Sequence, residues 1–133
     1  MSTFHLQIVT PDGLLFDGQV EKLVVRTTEG DVGILSGHAD YVSPIAIGVA
    51  RITMEDGKVK KAACSGGLLS VKGGITRLVG NTFEWADDID VERAKKAKEI
   101  AEQRIKEASD YEEKAAEIKL KRAITRIRAK EDM

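Results

Sequence analysis

Ile89-Asp90-Val91-Glu92-Arg93-Ala94 is the seam of the sequence: short alternating runs and glycine turns precede it, and charged helix follows it. Asp90 and Arg93 stand at i and i+3. On a helix they share a face, where they either neutralise each other or hold a polar ligand together. The acidic run Asp87-Asp88-Ile89-Asp90 also suits a helix start, because a carboxylate there accepts from the first unpaired backbone N–H groups, and spacing alone favours that capping role.

Charge changes abruptly at this point. Residues 1–86 hold 8 Lys/Arg and 9 Asp/Glu, whereas residues 87–133 hold 13 of each. That density marks solvated helix. Ala94, Ala97, Ala101, Ile105 and Ala108 form one stripe at helical spacing, and Ala116, Leu120, Ala123 and Ile127 form another. Ser109-Asp110-Tyr111 lies between them and supplies turn or capping residues, although one long helix would also satisfy the pattern. Alanine stripes bury little, about 0.8 kcal/mol per CH₂, so a hairpin built on them is weakly held and easily repositioned by a ligand or partner. If the chain folds back near Asp110, Arg126 meets Arg93, with Arg122 one turn away. In a single extended helix Arg93 and Arg126 would be roughly 50 Å apart. Asp90, Arg93, Arg122 and Arg126 around one spot would suit a polyphosphate bearing a polar base or sugar, while an ordinary solvated face is the plainer reading of the same residues. From Lys119 to Lys130 the chain has six basic residues and no acid. Without interleaved aromatics this run does not read as a nucleic-acid surface.

Before the seam, Phe4, Leu6 and Ile8 alternate with His5, Gln7 and Val9 in the period of a half-buried strand. Further strands are expected near 14–16, 20–27, 45–54, 59–63, 68–71 and 75–79, with turns at Pro11-Asp12-Gly13, Glu55-Asp56-Gly57-Lys58 and Lys72-Gly73-Gly74. Many short strands with glycine-rich turns predict an antiparallel sandwich or barrel. Pro44 fits the start of an edge strand. Cys64-Ser65-Gly66-Gly67 invites a nucleophile reading with His38 or His5 as base, but neither an orienting third group nor a strained elbow is visible. A buried thiol followed by glycines that let strands approach is the simpler account.

The 133 residues, 42% hydrophobic and 32% charged, fit one or two small folded domains. A net charge of -1 offers no global attraction for nucleic acid or an anionic membrane. One cysteine and two histidines leave no disulfide framework and no metal-ligand cluster. The run from Ile45 to Ala50 is too short to span a bilayer, and Met1 to His5 lacks the basic and apolar regions of a signal peptide. No phosphate-loop motif occurs.

Taken in order, Val9-Thr10-Pro11-Asp12-Gly13, the run from Gly30 to His38, Ser65-Gly66-Gly67-Leu68-Leu69, the seam, and Lys121-Arg122-Ala123 make the chain resemble the epsilon subunits of bacterial F-type ATP synthases over nearly its whole length. The resemblance implies a sandwich of about ten strands over residues 1–86 and a regulatory two-helix hairpin over 87–133. It implies a non-catalytic rotor subunit that joins the gamma subunit to the membrane ring of c subunits and restrains ATP hydrolysis by the catalytic beta and alpha subunits. The complex would lie at the cytoplasmic face of the bacterial plasma membrane, with this chain peripheral and not inserted. Asp31, Ile34, Leu35 and His38 match the loop that faces the ring. Glu84, Ile89, Asp90, Arg93, Ala94, Arg122 and Arg126 match a regulatory ATP site, ATP being a signal and no cofactor being obligatory. Ile100 stands where ATP-binding relatives have a further arginine. Arg122, Arg126 and Arg128 are the expected inhibitory contacts with the catalytic subunits. An autonomous ATP-sensing module is the alternative function.

Overall fold

The computed structural model describes residues 2–107 and 110–131. In chain order it contains β1 (Phe4–Thr10), β2 (Gly13–Thr27), β3 (Gly30–Leu35), β4 (Tyr41–Met54), β5 (Val59–Lys72), β6 (Ile75–Gly80) and β7 (Phe83–Trp85). A 3₁₀ turn over Ala86–Asp88 then leads into α1 (Val91–Glu107) and α2 (Asp110–Glu131). Of the turn expected at Ser109-Asp110-Tyr111, Ser109 lies outside the described residues, as does Ala108 of the first stripe, and α2 already begins at Asp110.

The strands run in the order β1-β6-β5-β4-β2-β3, and β1 also pairs with β2, so five of them close into a barrel. β3 extends it beside β2, and β7 adds to β5. Two-residue turns close the β1–β2 and β5–β6 hairpins as the sequence predicts. Gly73 and Gly74, with φ of +57° and +81°, supply the positive torsions of the second.

There are seven strands among the described residues where about ten were expected. The figure of ten came with the resemblance; the runs read from the residues numbered seven, but two pairs of them are single strands, and β3 and β7 were not among them. Segments 14–16 and 20–27 are one strand, β2, and segments 59–63 and 68–71 are one strand, β5. Register shifts interrupt the side-chain alternation of β2, and Gly66 and Gly67 bend β5. The backbone ladder continues through both. β1 and β6 also pair in parallel, an exception to the antiparallel pattern. Pro44 lies within β4, paired with Leu68, and not at the strand start. It adjoins the register shift between Val24 and Thr27, where the ladder from β2 is broken and a missing donor is tolerated.

Alternation fills the barrel. Leu6, Ile8, Leu23, Ile34, Ile52, Leu69 and Leu78 are fully buried in one cluster that Phe83 closes. A second cluster of Ala63, Ala86, Ile89 and Ala129 joins α2 to the outer face of β5. Ala63 therefore faces the helix while Ala62 and Cys64 face the barrel, which leaves this part of β5 buried on both sides. Along the helices, Ala94 and Ala101 of α1 and Ala116 and Ala123 of α2 are buried, as the stripes require. No described helix is long and apolar enough to cross a membrane.

Candidate functional site

The seam is where the three parts of the molecule meet. Asp90 caps α1, its Oδ1 accepting from the Arg93 N–H at 3.2 Å while its carbonyl accepts from the Ala94 N–H at 3.0 Å. Capping holds the first turn of α1 in place, so Arg93 and Ala94 open toward α2. In β7 the strand period sends Phe83 and Trp85 to the barrel, where their rings meet edge to face at 5.0 Å, and turns Glu84 to the opposite side. There the Arg126 Nε donates to Glu84 Oε1 at 3.0 Å. The pair is about 40% exposed at both side chains and contributes about 0–1 kcal/mol. It sets direction more than stability. One turn on, the Lys130 Nζ donates to the Asp87 carbonyl at 3.4 Å.

These contacts frame a cleft of about 340 Å³ lined by Glu84, Ile89, Asp90, Arg93, Ala94 and Arg126, together with Asp88 and Ala97. That volume falls in the range of small-molecule sites. Six of the seven residues that the resemblance assigned to a regulatory ATP site therefore share one space, and Arg126 lines it together with Arg93, as the fold-back register expected. Arg122 lines a separate small cavity beside it, with Glu84, Thr125 and Arg126. Asp88 and Ala97 were not singled out. Asp88 showed only as one member of the acidic run, and Ala97 only as one member of the α1 stripe. With Asp88 and Glu84 included, the cleft holds three carboxylates and two guanidiniums. The arginines offer donors to phosphate oxygens, and the carboxylates, Glu84 among them already bonded to Arg126, offer acceptors to hydroxyl or amino groups.

The residues expected to face a ring are spread along β3 and the turn that follows. Leu35 is 54% exposed and His38 sits on the turn, its Nδ1 bonded to the Ala39 carbonyl at 2.7 Å. Ile34 is fully buried in the barrel core, so it offers no surface for contact. The strand period explains this, since the neighbour of an exposed Leu35 must point inward. Asp31 is paired with Arg26 at 2.9 Å, at the far end of β3 from the turn.

Residues 3–86 match the beta-sandwich domain of the ATP synthase delta/epsilon chain, and residues 87–131 match the long alpha-helix domain of the same chain. The chain belongs to the ATP synthase delta/epsilon family. Among bacterial members, it is 49% identical over 104 residues to the ATP synthase epsilon chain of Alkaliphilus oremlandii, covering 78% of this chain and 77% of that one. It is 41% identical to the epsilon chain of Bacillus velezensis over 96% of both chains. A chain in the cryo-EM structure of the Euglena gracilis mitochondrial ATP synthase, OSCP/F1/c-ring, superposes with a TM-score of 0.82 at 26% identity, over 91% of this chain and 77% of that one. The family thus comprises the two structural parts seen here, a barrel followed by helices.

For a member of this family the Cys64 nucleophile reading has no support in the geometry. Cys64 is buried, and burial pushes its thiol up to about 11 from the ordinary 9.0. His5 is engaged with Asp17, and His38 with the Ala39 carbonyl. A raised folded value means that the neutral thiol stabilises the fold below about pH 9, and that this contribution is lost as pH rises toward 11. Unfolding midpoints of the parent and Cys64→Ala should therefore differ most below pH 9 and converge across that window. A constant difference would contradict the assignment.

Proposed function

We propose that the chain is a non-catalytic rotor subunit of an F-type ATP synthase, joining the gamma subunit to the membrane ring, with helices that leave the barrel to restrain ATP hydrolysis and a regulatory ATP site in the seam cleft. The observation that carries this reading is the origin of the cleft's walls. Glu84 comes from β7, Asp90 from the seam, Arg93 from α1 and Arg126 from α2. A ligand gripping all four stabilises only the docked helices, because in one straight helix Arg93 and Arg126 would be roughly 50 Å apart. ATP is thereby a signal that holds the helices down, and its loss frees them.

The contacts that would be given up are small. Arg126 leaves one half-exposed ion pair, and Ala129 leaves a cluster made mainly of methyl groups. Arg126, released from Glu84, and the exposed Arg122 and Arg128 would then be carried to an acidic surface of the catalytic subunits. Leu35 at the end of β3 and His38 on the turn after it would meet the ring. The complex would lie at the cytoplasmic face of the plasma membrane, with this chain peripheral. Co-purification tests the rotor assignment: the chain should remain bound to purified gamma in mild salt. Failure to bind gamma, with ATP binding retained, would leave an autonomous ATP-sensing module in its place.

A further inference from the structure

Strand alternation puts Ser65 on the same outer face of β5 as Ala63, against α2. Its Oγ is buried, and no hydrogen-bond partner reaches it among the described residues. The Ser65 N–H is satisfied separately, donating to the Thr82 carbonyl at 3.1 Å. A buried hydroxyl without a partner carries the full cost of its lost hydration, so groups of this kind are bridged in folded proteins. Ser65 lines the small cavity beside the seam cleft, with Glu84, Arg122, Thr125 and Arg126 on the other walls. At about 10 Å³ it has room for one water and for no part of a nucleotide. Thr125 is the buried hydroxyl that α2 brings to this space. Its proton is committed to the Lys121 carbonyl at 2.8 Å, which leaves the Oγ1 lone pairs to accept. The Glu84 carboxylate receives the Arg126 Nε at Oε1 and keeps further acceptor capacity. Of these three groups only Ser65 has a proton to give.

We propose that this cavity is a hydration site whose single water accepts from the Ser65 Oγ and donates to the Thr125 Oγ1 and the Glu84 carboxylate, bridging β5, β7 and α2. One acceptance and two donations make the three bonds usual for a buried water. The oxygens meet at one point only when α2 is docked with Thr125 turned to β5. The site therefore selects the rotation of α2 on the barrel, which the methyl groups of Ala123 and Ala129 do not, because they pack without direction. Once the helices leave, Ser65 is open to solvent and its hydroxyl costs nothing. The water thus fixes how α2 docks without holding it hard, and it does so with or without ATP.

The test is amide hydrogen exchange of the full chain, read at the α2 residues around Thr125, whose protection depends on the helix staying docked. Ser65→Ala and Thr125→Val each remove one hydroxyl. Each is expected to speed that exchange about three- to tenfold, and the double variant about as much as either alone, since one water serves both. Slower or unchanged exchange in Ser65→Ala would overturn the proposal: a hydroxyl with no water beside it burdens the docked state, and removing it tightens docking. Additive effects of the two substitutions would overturn it too, because the hydroxyls would then act separately. Exchange in β1 should stay unchanged, which separates a loosened helix from a damaged barrel. Should β1 exchange rise as well, a high-resolution crystal structure of the parent chain decides. A water within hydrogen-bond distance of the Ser65 Oγ supports the site, and docked helices over a cavity without one contradict it.

Discussion

Removing residues 88–133 is expected to raise ATP hydrolysis by the assembled complex several-fold while leaving assembly intact. The barrel core draws on residues from Phe4 to Phe83, with Trp85 packed against it, so the truncated chain keeps every buried large side chain of that cluster. What it loses is the small cluster at the outer face of β5, where Ile89 and Ala129 depart and Ala63 and Ala86 become exposed. At about 0.8 kcal/mol per CH₂ this is a modest loss for a barrel of this size. The kinetic effect is larger because inhibition in the proposed account requires the helices themselves. A tenfold release corresponds to only about 1.4 kcal/mol of preference for the blocking position, and the docked position that opposes it is held only through alanines and one exposed ion pair. Steady-state hydrolysis, with gamma co-purification as the assembly control, reads both halves of the expectation. An unchanged rate in a fully assembled complex would place the restraint outside these helices.

Gly67→Ala should cost more than any surface change, on the order of 3–5 kcal/mol, and so threaten folding of a domain whose total stability is about 5–15 kcal/mol. Gly67 has φ of +129°, and a Cβ there would lie 1.9 Å from the Val79 carbonyl oxygen and 2.9 Å from the Gly80 Cα. Both are backbone atoms of the paired strand β6, so neither can swing aside. Gly30→Ala is the control. Its φ is +116° but nothing lies within 4 Å of the added atom, so only the torsional cost of about 1–3 kcal/mol applies. Thermal unfolding followed by circular dichroism should rank parent, Gly30→Ala and Gly67→Ala in that order. Equal midpoints for the two variants would mean that β5 and β6 separate without penalty at this point.

That pair of glycines shows what the sequence could and could not reveal. Cys64-Ser65-Gly66-Gly67 was readable as a thiol followed by a close strand approach, and Gly67 against Gly80 is that approach. The same glycines broke the alternation and made one bent strand look like two. A sequence records side-chain periodicity, whereas a strand is defined by its backbone ladder, and bulges uncouple them. The capping role of Asp90 was legible because it is local, set by residues three and four apart. Facing of Arg93 and Arg126 was legible from hairpin arithmetic. Arg122 fell one cavity away because a fold-back gives relative height along the helices but not the rotation of α2 against the barrel. The docking surface itself was hidden. Ala62-Ala63-Cys64-Ser65 is buried on both faces, and small side chains without alternation carry no signal of which neighbour covers them.

The account turns on whether the seam cleft reads ATP. Titration of the isolated full chain with ATP by calorimetry, with fluorescence of Trp85 beside the seam recorded in parallel, tests this most directly. The proposed site predicts saturable binding of one ATP per chain, weakened about tenfold or more by Asp90→Ala and by Arg93→Ala. No saturation at millimolar ATP, or equal affinity in the parent and both variants, would contradict it.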